Sequence, residues 1–181
     1  MDIQHDRAGY YICYGCLCWV PSIYTFHSFY LVESQTYPSV LIASLIFVAG
    51  VLCVWINYDC DRQRQEFRES NGKCKIWGGE AEYIVAHYTT ESGEKKSSLL
   101  LTNGWWGMAR HIHYIPEILA SVFWCVPYQT AHPIAYFYPF YLTILLFDRA
   151  WRDDKRCADK YGKYWDQYCE KVPHKIIPGI I

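Results

Sequence analysis

The sequence predicts an all-α membrane protein that crosses the bilayer several times and carries a small extramembrane β-hairpin. The first observation is that residues 8–32, 34–58 and 118–147 contain no Asp, Glu, Lys or Arg. A helix of roughly 20 apolar residues crosses a hydrocarbon core, so each stretch is long enough to span a bilayer. The second is that Lys and Arg are concentrated in two blocks, 62–96 and 149–175. The third is that Tyr and Trp cluster near the ends of the apolar stretches. Their amphipathic rings are typical of the lipid headgroup region at a membrane surface.

Four spans are predicted, over residues 8–32, 38–58, 105–131 and 133–150. The last two are separated near Pro127 and Pro133, because proline removes a helix hydrogen bond and breaks the helix. Asp2 and Asp6 stand where a signal peptide would be basic, so the first span is expected to stay in the mature protein. The short link between the first two spans puts both basic blocks on one side, which the positive-inside tendency makes cytoplasmic.

The polar segment 74–102 is predicted to form the cytoplasmic hairpin. Ile84–Thr89 and Ser98–Thr102 flank Glu91-Ser92-Gly93-Glu94, which has the composition of a turn between two short strands. Residues 151–181 then form a cytoplasmic tail rich in charge and aromatic rings. No repeat or low-complexity linker divides the chain, so 1–181 is expected to be a single region.

The nine cysteines argue against a secreted disulfide framework, because their number is odd and several lie in apolar stretches. Cys13-x-x-Cys16-x-Cys18 could be half a metal site or a redox pair. No second ligand pair accompanies it inside the predicted span. We interpret these cysteines as small buried hydrophobic residues and expect no metal.

Two arginines are candidates for binding an anion. Arg64 and Arg68 are four residues apart, so they share one face if the second helix continues beyond its span. Two guanidinium groups on one face can hold a phosphate, although a helix end held by anionic lipid has the same spacing. Lys160 and Lys163, among aromatic rings, repeat the pattern in the tail. The net charge of -1 and the apolar spans argue against nucleic-acid binding.

Two further pairs leave two interpretations open. Arg149 and Asp153 lie four apart at the end of the last apolar stretch, where a charged pair is either a membrane anchor or part of a functional pocket. Trp105 and Trp106 are either interface anchors or the wall of a slot for a flat ligand.

Several long motifs, in the same order along nearly the whole chain, resemble the C-terminal half of the sterol reductases that act on ring double bonds. Within them they resemble the sterol Δ7-reductases, also called 7-dehydrocholesterol reductases, and the first two motifs look most like the plant branch. The motifs are Asp2 to Gly9, Asn57 to Arg68, Asn71 to Cys74 with Ile76 to Gly78, Gly104 to Gly107, Arg110-His111, Arg152 to Cys157, Lys160 to Gly162 and Ile176 to Gly179.

The resemblance implies an NADPH-dependent oxidoreductase of sterol biosynthesis in the endoplasmic reticulum membrane, which reduces the C7=C8 bond of 5,7-diene sterols. It implies a sterol substrate, the bilayer and other sterol-biosynthesis enzymes as partners. His113 stands where many relatives have Asn, which keeps a hydrogen-bonding side chain. By position, the implied cofactor-binding residues are Arg64, Arg68, Leu101, Trp106, His113, Tyr114, Asp153, Cys157, Lys160, Tyr161 and Tyr168.

The implied chemistry needs an acid, because a carbon–carbon double bond without an electron-withdrawing group is a poor hydride acceptor until it is protonated. Arg149, oriented by Asp153, is the candidate for assisting a tyrosine in this role. The family's proposed proton-donor tyrosine lies upstream of the residues that match Asp2 to Gly9, and the family's N-terminal half is not in this sequence. We therefore expect a cofactor site but poor sterol reduction from this chain alone. Tyr24, His5 and Asp6 are candidates for the sterol pocket.

Two alternatives remain at this stage. One is a sterol Δ14-reductase, which shares the cofactor motifs. The other is a non-catalytic, truncated membrane protein that binds NADPH or sterol.

Overall fold

The computed structural model describes residues 13–25, 28–29, 32, 37–90, 92–128 and 133–180. It is mostly helical, as the sequence predicts, with two small hairpins where the sequence predicts one. A π-helical segment, Gly15–Tyr24, comes first. The α-helices are α1 (Val40–Glu69), α2 (Trp105–Met108), α3 (Tyr114–Cys125), α4 (Phe137–Tyr161) and α5 (Lys163–Lys171), with 3-10 turns at Val126–Tyr128 and Pro133–Tyr136. The strands are β1 (Lys75–Ile76), β2 (Gly79–Glu80), β3 (Tyr83–Thr89) and β4 (Lys95–Leu101).

Helix α1 has an apolar first half and a charged second half. Its N-terminus is capped by the Ser39 hydroxyl, which accepts a hydrogen bond from the Ile42 amide. In the described part of the chain, α1 is the one helix long and apolar enough to cross a membrane, and almost none of its apolar stretch is buried. The helix continues past the predicted span to Glu69. The prediction that Arg64 and Arg68 share one helix face is therefore confirmed.

Two antiparallel hairpins follow α1. The predicted hairpin is confirmed as β3 and β4, with Tyr83 opposite Leu101 and Thr89 opposite Lys95. The β1–β2 hairpin is not anticipated from the sequence. Its two-residue turn has Trp77 at φ 49° and Gly78 at φ 85°, the left-handed conformations that a tight hairpin turn requires.

In the third predicted span, 105–131, the longer helix α3 begins at Tyr114. The backbone amide of Trp105 donates to Gln63 Oε1 at 2.9 Å, and the Trp106 indole donates to the Cys60 carbonyl at 3.0 Å. These bonds hold residues 105 and 106 beside the charged half of α1. Among the described residues of this range the α-helices are the short α2 and the apolar α3, which ends two residues before Pro127.

The last predicted span and the tail are not separate, because α4 runs through residue 150 to Tyr161. Its buried face packs Leu146 and Ala150 against Tyr114. Helix α5 then packs Trp165 and Tyr168 against the partly buried Ile84 and Leu100 of the β3–β4 hairpin. The tail therefore forms a wall against the hairpin.

The first predicted span lies partly outside the described residues. Within it, Cys13, Cys16 and Cys18 are exposed, so their interpretation as buried hydrophobic residues does not hold in this structure. Trp19 packs on Tyr141, with ring centroids 5.2 Å apart, and links the π-helical segment to α4.

Candidate functional site

A cleft with a volume of about 130 Å³ lies between the charged half of α1, strand β4, α4 and α5. Each of these elements supplies one wall, and the turn after α2 supplies the floor. Most of the sequence-predicted cofactor residues line it. The lining residues are Arg64, Phe67, Arg68, Ser98, Leu99, Leu100, Leu101, Trp106, Arg110, His111, Asp153, Cys157, Tyr161, Trp165 and Tyr168.

Two guanidinium groups enter the cleft from α1. The Arg64 guanidinium lies over the Trp106 ring, 4.6 Å from its centroid. The electron-rich face of the indole attracts the positive charge. Among the described residues neither Arg64 nor Arg68 forms a salt bridge, whereas neighbouring Arg62 pairs with Asp59 and Glu66. Two positive charges without carboxylate partners suit an anionic ligand.

The back wall is held by Arg110, which is 9% exposed. Its Nη1 donates to the carbonyls of Val172 at 2.8 Å and Pro173 at 3.2 Å. Asp154 lies 3.5 Å from Arg110 Nε and 3.0 Å from Lys175 Nζ. The chain after α5 is thereby fixed along residues 110–111.

Aromatic and imidazole rings cover one side of the cleft. His113 packs on Trp106 and Tyr114, with ring centroids 5.0 and 4.4 Å away, and His111 stacks on Tyr114 at 5.0 Å. Burial lowers the pKa of His111 to about 4 and that of His113 to about 3. The positive charge of Arg64 contributes to both of these lowered pKa values, and both rings are neutral at pH 7.

His113 has an unused hydrogen-bonding atom. Its Nδ1 is buried and has no hydrogen-bond partner within the described residues. A buried polar atom without a partner costs free energy. An amide group placed against this ring would satisfy it.

The carboxylate of Asp153 pairs with Arg156 and lies 3.8 Å from His111 Nε2. The expected pairing of Asp153 with Arg149 is therefore not what the structure shows. Arg156, one turn along α4 in the other direction, takes the carboxylate instead. Arg149 is half-buried near His113, and its charge adds to the lowering of the His113 pKa.

Cys157 and Tyr168 form an uncharged part of the wall. Burial raises the pKa of each to about 12, so both stay protonated at pH 7. The ammonium group of Lys160 lies 4.4 Å from the Tyr88 ring and 5.0 Å from the ring of Tyr161, which lines the cleft.

Four of the predicted residues are not among those that line the cleft, namely His113, Tyr114, Arg149 and Lys160. His5 and Asp6 lie outside the described residues, and the side chain of Tyr24 is not described either. In the described part of the chain, no group of three or more His, Cys, Asp or Glu residues is placed to hold a metal ion.

Sequence reasoning assigned no role to several residues that line the cleft. Arg110 and His111 carried the resemblance, but nothing in their spacing showed that they lie opposite Asp153. Phe67 lies on the same α1 face as Arg64, and helical periodicity could have placed it there. The others that were missed are Ser98, Leu99, Leu100 and Trp165.

The chain is similar along its whole length to sterol reductases. The model of the Ergosterol biosynthesis ERG4/ERG24 family matches residues 1–181. A 7-dehydrocholesterol reductase of Arabidopsis thaliana is 63% identical over 180 residues, 99% of this chain and 42% of that relative. A 7-dehydrocholesterol reductase of Xenopus laevis is 37% identical over 99% of this chain and 38% of its own length. A Delta(14)-sterol reductase of Methylotuvimicrobium alcaliphilum is 38% identical over 99% of this chain and 40% of its own. The chain thus spans about two-fifths of the length of these curated relatives.

Proposed function

Because the chain belongs to the ergosterol biosynthesis ERG4/ERG24 family, we propose that it serves the NADPH-dependent reduction of the C7=C8 bond of 5,7-diene sterols. The observation that supports this most is the cleft, in which two unpaired guanidinium groups lie beside a wall of aromatic rings. The 63% identity to a 7-dehydrocholesterol reductase supports Δ7 chemistry. The long apolar half of α1 supports a membrane location, which we propose is the endoplasmic reticulum.

The residues of the cleft fit a nicotinamide dinucleotide in chemistry. Arg64 and Arg68 would hold phosphate groups, and Trp106 and Tyr168 would flank a flat ring. The unpartnered His113 Nδ1 fits a carboxamide. A volume of about 130 Å³ is below the roughly 300–1000 Å³ of ligand pockets, so the cleft would enclose one end of the cofactor only. The rest of the cofactor would extend out of the cleft, past Tyr161 towards Lys160.

NADPH supplies hydride to a sterol carbon that has become cationic on protonation of the double bond. The residues of this chain would bind and orient the cofactor and keep water from the reacting carbon. Asp153 faces the cleft and is a candidate for binding the cofactor or for moving a proton. Arg149 is a candidate for assisting a tyrosine acid, because a nearby positive charge stabilises the phenolate.

Two other functions have specific support. Relatives named Delta(14)-sterol reductase, from Methylotuvimicrobium alcaliphilum and Dictyostelium discoideum, are 38% and 37% identical. They favour a Δ14-reductase, in which the same cleft would serve a different double bond. A membrane protein that binds NADPH or sterol without turnover, and associates with other sterol-biosynthesis enzymes, is supported by the cleft and the exposed apolar half of α1, which account for binding alone.

Sterol analysis separates these functions. The chain, and any extended form that its gene encodes, would be expressed in yeast strains that accumulate either 5,7-diene or Δ14 sterols. Loss of the 5,7-diene ultraviolet absorbance is expected with the extended form. A double variant, R64A with R68A, is the matched control and should leave the diene intact. Loss of only the Δ14 bond would favour the alternative reductase. NADPH binding with no loss in either strain would favour the non-catalytic protein.

A further inference from the structure

His111 and Asp153 approach each other across the cleft from different elements. His111 lies in the turn before α3, and Asp153 projects from α4. The imidazole Nε2 is 3.8 Å from Asp153 Oδ2, while Oδ1 is taken by Arg156. The two oxygens of Asp153 therefore have different neighbours, because His111 approaches Oδ2 and Arg156 binds Oδ1.

The His111 ring has little freedom to move. Its side chain is 9% exposed and stacks on Tyr114 with an interplanar angle of 14°. Its backbone amide donates to the Lys175 carbonyl at 2.8 Å. The Asp153 side chain is 27% exposed and could otherwise turn towards solvent.

We propose that His111 is a positioning residue, which fixes the Asp153 carboxylate at the wall of the cleft. The Nε2 atom carries the proton, because a lone pair facing a carboxylate oxygen would repel it. A separation of 3.8 Å is longer than a hydrogen bond, so in the ligand-free chain the contact is the attraction of the Nε2–H dipole for the carboxylate. The importance of Asp153 for the cofactor rests on the proposed function, whereas its contact with His111 does not.

A double-mutant cycle on the ligand-free chain, residues 1–181, tests the contact. The variants are His111→Phe, which keeps the ring and its stacking but has no donor, and Asp153→Asn. Their effects on thermal unfolding are expected to be less than additive, because each variant removes the same interaction. Arg152→Gln, on the exposed face of α4, is the matched control and should be additive with His111→Phe. Additive effects of His111→Phe and Asp153→Asn would overturn the proposal.

A titration of the purified chain with NADPH tests the consequence for the cleft. His111→Phe is expected to weaken binding by on the order of 10-fold. His111→Gln, which restores a donor, is expected to recover most of this loss, which a purely structural role of the ring would not predict. Unchanged affinity in His111→Phe would also overturn the proposal. If the wild-type chain did not bind NADPH while the stability cycle still showed coupling, the proposed function would fail and the positioning role would stand.

Discussion

The Trp105 indole nitrogen donates a hydrogen bond to Asp59 Oδ2 across 2.8 Å and ties the start of α2 to the charged half of α1. The other oxygen of Asp59 accepts hydrogen bonds from Arg62 at 2.6 and 3.1 Å.

Because hydrogen bonds to charged groups are stronger than neutral ones, Trp105→Phe should cost about 1–2 kcal/mol of unfolding free energy. Thermal unfolding in detergent measures this. Trp77→Phe is the control, since that exposed indole packs edge-on against Trp105. Equal losses in both variants would contradict the role of the bond.

Gly104 is a position where no side chain fits. Its φ is 66°, and an added Cβ would overlap Gln63 Oε1 and lie 2.5 Å from Ile76 Cγ2. Gly104→Ala should therefore destabilise the fold by about 2–4 kcal/mol, from backbone strain and overpacking together. Gly78→Ala isolates the strain, because φ there is 85° and nothing lies within 4 Å of the added Cβ. The control should lose about 1–2 kcal/mol. Equal decreases in melting temperature for Gly104→Ala and Gly78→Ala would contradict a steric effect of Gln63 and Ile76 at Gly104.

Removal of either arginine of the α1 face should weaken cofactor binding. Arg64→Ala and Arg68→Ala are each expected to raise the dissociation constant for NADPH by about 10- to 100-fold, since charge-assisted bonds to phosphate are lost. Fluorescence titration of the purified chain measures this. Arg152→Ala removes an equal charge from an exposed site that pairs with Asp148 and should change little. A similar loss in Arg152→Ala would indicate a general charge effect.

The two buried histidines should make stability depend on pH. Their folded pKa values of about 4 and about 3 lie below the usual value of about 6.5 in an unfolded chain. Above pH 6.5 neither state binds these protons, so they contribute nothing. As the pH falls from about 6.5 towards 4, the unfolded chain binds protons that the folded chain does not, and stability falls. The loss should be about 1–2 kcal/mol per histidine by about pH 5.

Thermal unfolding at several pH values checks this dependence. His113→Asn should flatten the curve by removing one of the two groups while keeping a hydrogen-bonding side chain. His87→Asn, at an exposed site on β3, is the matched control. A curve for His113→Asn that superimposes on the wild-type curve would contradict the assignment.

Local patterns predicted the elements that local interactions determine. The β3–β4 hairpin follows from turn composition between two strand-forming runs, and the shared face of Arg64 and Arg68 follows from helical spacing. The start of α3 at Tyr114 does not follow from the sequence, because an uncharged run does not reveal that the Trp105 and Trp106 side chains bond to α1. These bonds join residues 46 positions apart in the chain.

The cleft was predictable in part. The resemblance supplied most of its lining, including Arg64, Trp106 and Tyr168. The Asp153–Arg149 pairing failed because spacing alone allows two partners, and the packing of α4 selects Arg156. The contact between His111 and Asp153 depends on how the turn before α3 packs against α4. Sequence spacing and composition do not predict this packing.

The anchoring of Arg110 also bears on the order of events during synthesis. Its guanidinium bonds to the Val172 carbonyl, 62 residues later in the chain. A ribosome that has just released Arg110 has not yet made the segment that encloses it. Chains fold as they emerge from the ribosome. The cleft walls contributed by α1 and the β3–β4 hairpin can therefore form before α5 and residues 172–175 have been synthesised. The back wall of the cleft is therefore complete only after synthesis has passed residues 172–175.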